Sequence, residues 1–138
     1  MKQSILALSL FLVAFNSFAL PINWYHTVPP IDIPVHISFG VLIGLFVITL
    51  WKKAGGAHPF VIIILGVLIV GTMWEIVEFL RDTYFALPRG IPPAQLSYAD
   101  TLSDMMYNLV GGTLAYILVF NPFAKQNRKK STSLRTAK

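Results

Sequence analysis

Four apolar runs divide the chain, at roughly residues 5–20, 33–51, 59–80 and 101–120, with polar or proline-bearing stretches between them. The last three hold about twenty residues each. As helices rising about 1.5 Å per residue they span a hydrocarbon layer of about 30 Å. The first run is shorter. A basic start, MKQS, leads into ILALSLFLVAF and then NSFA, where Ser17 and Ala19 form a small-x-small cleavage pattern. Residues 1–19 therefore read as a signal peptide or as a first transmembrane helix. The pattern predicts an all-α membrane protein: a small bundle of three to four transmembrane helices, with a transmembrane helical domain over 20–120 and a basic cytoplasmic tail over 121–138.

The connections have their own signatures. Residues 21–34, PINWYHTVPPIDIP, carry four prolines and the pair Trp24 and Tyr25, which reads as an extended loop with an interfacial aromatic anchor. KKAGGAHP reads as a tight turn in which Pro59 opens the next helix and His58 is solvated. In the longest connection, residues 81–100, proline and glycine argue against a further helix. Its Tyr84, Phe85, Leu87 and Ile91 predict a segment folded back over the mouth of the bundle.

Composition agrees with the pattern, at 55% hydrophobic and 12% charged residues. The absence of cysteine excludes disulfides, thiolate metal sites and thiol nucleophiles. A formal charge of +5 invites a nucleic-acid reading, but its distribution argues against nucleic acid as a partner. If the spans alternate, nine of the eleven basic residues fall on one side: Lys2, Lys52, Lys53, Lys125, Arg128, Lys129, Lys130, Arg135 and Lys138. By the positive-inside rule that side is the cytoplasm, which predicts a bacterial inner-membrane protein with a cytoplasmic C-terminus and the lipid bilayer as its main partner. All six acids, Asp32, Glu75, Glu78, Asp82, Asp100 and Asp104, fall at or near the opposite side.

Those acids raise the chemical question. WEIVEFLRD places Glu75 and Glu78 in the last turns of an otherwise uncharged span, where a carboxylate costs several kcal/mol unless it is partnered, protonated or near water. At about 100° per residue, Glu75, Glu78 and Asp82 share an arc of about 60°, with Gly71 on the same face. Asp100, Asp104, Tyr107, Asn108 and Gly111 share an arc of about 100° on the last span, and His36, Gly40 and Gly44 form a stripe on the second. Helical rise brings His36, Glu75, Glu78, Asp104 and Asn108 to similar depth, where charged groups face a bundle interior rather than lipid. The set stays negative even with His36 protonated, so shared protons or a bound cation are implied. As a metal site, His36, Glu75, Glu78 and Asp104 are the expected ligands, and Glu75 and Glu78 the catalytic candidates, one of which activates water. Asp82, Asp100, Tyr107, Asn108 and Arg81 are supporting. The cofactor is then a divalent cation; oxygen-rich ligation with one nitrogen suits Mg²⁺, Mn²⁺ or Ca²⁺ and permits Zn²⁺ or Fe²⁺. A purely architectural reading makes Asp100 an N-cap, Thr101 to Asp104 a capping box and Arg81 the partner of Asp82.

HISFG, WEIVEF and DTLSDMMYNLVGG resemble three blocks of the YjdF-like bacterial inner-membrane proteins, across about residues 33–120. His36 and Gly40 match the first block, Glu75 and Glu78 the second, and Asp100, Thr101, Ser103, Asp104, Met105 and Gly111 the third. Asp104, Asn108 and Gly111 are also similar to a pattern in the wider VanZ-like group. The chain is expected to lack some N-terminal spans of a typical YjdF-like protein. The resemblance implies a shared site and supplies no reaction. Three classes of function follow from the residues: a metal-dependent hydrolase or transferase acting on a lipid or envelope headgroup, a proton- or cation-coupled transport subunit, and a non-catalytic assembly factor. With so few spans the transport class requires a homo-oligomer, for which Gly40-x-x-x-Gly44 is a packing surface within or between subunits.

Overall fold

The computed structural model describes residues 2–19, 31–56, 58–94 and 97–120. Four α-helices account for most of them: α1 (Lys2–Ala19), α2 (Asp32–Ala54), α3 (Pro59–Arg81) and α4 (Tyr98–Phe120). The last three have 23 residues each, about 35 Å of helix, and are long and apolar enough to cross a membrane. In α1 the apolar stretch is only Ile5–Phe15, and the helix lies against α2. The loop anchor at Trp24 and Tyr25 and the basic tail over 121–138 lie outside the described residues.

What holds α2, α3 and α4 together is close approach more than bulk. In lipid there is little hydrophobic force between helices, so small residues that let backbones meet become the adhesive. Gly40 of α2 sits on the carbonyl of Asn108, and Gly111 of α4 sits on the carbonyl of Ile37, leaving no space for a side chain at either position. The neighbouring Gly112 turns the other way and receives Val67 of α3, whose Cγ2 lies 2.7 Å from where a Cβ would be. Two consecutive glycines thus seat α4 on both partners. On α3 the buried stripe is Ile63, Val67, Gly71 and Glu75, one residue per turn. Below the crossing, Ile43, Ile48, Ile63, Val67 and Ala115 form the apolar core. Toward the basic end Tyr116 stacks on Phe120, which Trp51 meets edge-on, with Lys52 Nζ 5.8 Å above the Phe120 ring.

The surface is inverted relative to a water-soluble domain. Phe46, Leu65, Ile69, Met73, Ile76, Val77, Phe79 and Leu118 are exposed, whereas His36, Glu75, Asp82, Asp104 and Asn108 are buried. An apolar exterior around a polar interior is the arrangement that lipid selects.

The structure corrects three expectations. Helical structure does not stop at residue 81: a wide turn over Asp82–Ala86 and a 3₁₀ turn over Leu87–Arg89 continue α3 to Gly90, where φ is +65°. Proline at position 88 is tolerated because it stands at the start of the 3₁₀ turn, where its missing N–H has no intrahelical partner to lose. Nor do Tyr84, Phe85, Leu87 and Ile91 close over the mouth. Their side chains are exposed, and Asp82 and Ala86 are the residues buried from this segment. Finally, α2 begins at Asp32 rather than after Pro34, since proline fits a first turn for the same reason.

Asp82 fastens this extension. Its Oδ1 accepts from Arg81 Nη1 at 2.7 Å and from the backbone N–H of Ala94 at 3.0 Å. Replacing Asp82 with alanine strands the half-buried Ala94 N–H and loosens the return toward α4. A loss of about 1–3 kcal/mol is expected, with faster proteolysis around residues 91–97; cleavage and melting unchanged from wild type would contradict this role.

Candidate metal centre

Asp32, His36 and Asp104 converge at the acidic end of the α2–α4 pair. Asp32 and His36 are one turn apart on α2, and Asp104 arrives from the second turn of α4. His36 Nε2 lies 3.2 Å from Asp32 Oδ1 and 3.6 Å from Asp104 Oδ1. One ligand atom from each of the three residues falls within 4.8 Å of the others. The Gly40–Gly111 crossing, one turn further in, sets the helix separation that allows this approach. His36 and Asp104 are buried, while Asp32 is half-buried at the rim.

The remaining residues surround this group at different removes. Glu75 and Glu78, expected as ligands, are not in that converging group, although Glu78 lies within electrostatic reach of Glu75, His36 and Asp32, and Asp104 within reach of Asp100 and Glu75. Glu75 is buried. Glu78 accepts from Trp74 Nε1 at 2.8 Å, and the Trp74 ring packs on Phe39 of α2 at 5.6 Å between centroids, which holds the α2–α3 seam beside the site. Asn108 is fully buried, with Nδ2 3.5 Å from His36 Nδ1. Tyr107 is half-buried and makes no side-chain hydrogen bond among the described residues.

Arg81 and Asp82 engage each other and the following loop, and neither joins the ligand group. Asp100 is not an N-cap. Ser97 takes that role, its Oγ accepting from the Asp100 N–H at 3.2 Å, and Asp100 stands three residues inside, where a carboxylate meets the positive end of the helix. Asp104 is buried within the bundle and is not part of a capping box.

Asp32 is the ligand-group member that sequence reasoning missed, because residues 21–34 read as loop. The signal was present in Asp32-x-x-x-His36, a spacing that puts both side chains on one helical face if the helix starts two residues before Pro34.

Chemically, two carboxylates and one imidazole form a set of hard and borderline donors suited to a divalent ion. Around it the acids Glu75, Glu78 and Asp100 outnumber the single imidazole, and Arg81, the nearest arginine in sequence, is already paired. The site as a whole calls for positive charge.

No curated protein and no solved structure matches the chain. A family model described as "Predicted membrane protein (DUF2238)" matches residues 3–124, which takes in all of the helices above. With most of its length so matched, the chain belongs to the DUF2238 family of predicted membrane proteins, the YjdF-like group.

Proposed function

We propose that this protein sits in the bacterial inner membrane, holds one divalent cation between α2 and α4 at the level of the periplasmic headgroups, and acts as a hydrolase or transferase on a lipid or envelope headgroup. The observation that carries the reading is the convergence of Asp32, His36 and Asp104 ligand atoms within 4.8 Å, two of the residues being buried. The basic residues at the opposite helix ends and in the C-terminal tail support a cytoplasmic tail and a periplasmic site.

In this reading Asp32, His36 and Asp104 are ligands, and Glu75 and Glu78 extend the donor set from α3. The cation would supply a polarised water at neutral pH. Glu78 would take the proton from that water, and the Trp74 N–H that holds one of its oxygens supports this role. Trp74 is itself partly exposed, which supports access to the site from this side.

The test is calorimetric titration of Mn²⁺ and Zn²⁺ into purified, metal-stripped protein, with elemental analysis of the protein as isolated. About one ion per chain is expected. Asp32→Asn should weaken binding, and Glu78→Gln should retain most of it while losing headgroup turnover. Negligible binding of either ion by wild type ends the proposal.

A further inference from the structure

The orientation of one buried amide carries a further inference, which rests on the cation reading above. His36 presents Nε2 to Asp32 and Asp104, while its Nδ1 faces Asn108. Asn108 Nδ2 is the atom toward the ring, and Asn108 Oδ1 has no hydrogen-bond partner among the described residues. A ring nitrogen that accepts from an amide N–H carries no proton. In this arrangement the neutral imidazole therefore holds its proton on Nε2, directed at the carboxylates.

That tautomer blocks ligation. A cation bound at Nε2 requires the lone pair there, which puts the proton on Nδ1, and a metal-ligating histidine donates this second N–H to an acceptor. The group already adjacent to Nδ1 is the Asn108 amide. A half-turn about its last side-chain bond exchanges Nδ2 for Oδ1, two groups of nearly equal size, so no neighbour has to move. Gly71 across the interface adds no side chain; a Cβ there would stand 3.4 Å from Asn108 Nδ2. In the present orientation one end of the amide meets His36 and the other has no hydrogen-bond partner among the described residues, so no second bond locks it.

We infer that Asn108 is the positioning residue of the site. Its amide turns with the His36 tautomer, donating to Nδ1 when no cation is held and accepting from Nδ1–H when Nε2 is a ligand.

Nitrogen-15 NMR of histidine-labelled protein in detergent tests this, since His36 is one of only three histidines. In metal-stripped wild type at mildly alkaline pH, Nδ1 of His36 should be unprotonated and Nε2 protonated, and Zn²⁺ should reverse the two. Asn108→Asp, an acceptor only once ionised, should hold the proton on Nδ1 without metal at a pH where that carboxyl has lost its proton. Asn108→Leu should weaken Zn²⁺ binding by about 10–100-fold. A proton on Nδ1 in metal-stripped wild type overturns the inference, as does an unchanged tautomer in Asn108→Asp. If Zn²⁺ fails to bind wild type while Asn108→Asp still moves the proton, the cation reading falls and the coupling between amide and imidazole stands.

Discussion

Gly111→Leu is expected to abolish the folded bundle, or to cost it more than about 3 kcal/mol of the 5–15 that a domain typically has. The reason is local and steric. A Cβ at position 111 runs into the carbonyl of Ile37 and comes within 2.8 Å of the Val41 nitrogen and 2.9 Å of the Gly40 Cα, all of them helix backbone. Backbone cannot rotate aside as a side chain can, so α2 and α4 must separate. Gly71→Ala is the matched comparison. Its Cβ meets Met105 Sδ at 3.2 Å, and a flexible thioether yields. The gain of about 1 kcal/mol in helix propensity offsets that contact, and stability should stay within about 1 kcal/mol of wild type. Thermal unfolding in detergent separates the two. A Gly111→Leu protein that melts with wild type would mean that α2 and α4 do not cross at this point.

His36→Ala is expected to lower divalent-cation affinity by at least about 100-fold, or about 2.7 kcal/mol, because even partners behind a ligand are worth 10–100-fold. Among the described residues His36 lies 3.2 and 3.6 Å from the two aspartates, so its removal also leaves Asp104 buried against other acids. Two effects should therefore appear together. The metal-free variant should unfold more easily than wild type, and added Mn²⁺ or Zn²⁺ should no longer raise its melting temperature, since a ligand stabilises only the state that binds it. Undiminished metal-dependent stabilisation in His36→Ala would remove this residue from the site.

The two substitutions probe different links of one chain. Glycine contacts set how near α2 and α4 lie, and that distance decides whether three side chains can share an ion. The stability of the bundle and the chemistry of its acidic end are for this reason coupled. A variant that opens the crossing should lose cation binding even with all three ligands intact.

Much of the architecture was legible in the residues. Helices of apolar periodicity and bilayer length follow from backbone hydrogen bonding in a solvent without water, which leaves few alternatives. That His36, Glu75, Glu78, Asp104 and Asn108 stand at similar depth is an expectation from a constant rise per residue, and the structure adds that His36 approaches Asp104 and Asn108. The continuation of α3 past Asp82 was less legible, because Pro88 and Gly90 argue for a loop unless one knows that they stand at the start and the end of a short 3₁₀ turn. Ser97 was passed over as a cap because Asp100 offered a more obvious one.

By itself, then, the order of residues determined that the chain is helical, that its spans have bilayer length, and which polar side chains share a face within the spans it marked, since all of this depends on local geometry. Only the tertiary structure decided which of those side chains meet. The rotation of each helix about its axis and the distance between axes are set by contacts across the interface, here Gly40 on Asn108 and Gly111 on Ile37. Those contacts brought Asp32 beside His36 and Asp104 and left Arg81 and Asp82 to fasten a loop, because a helix facing its neighbour has no record of that neighbour in its own period.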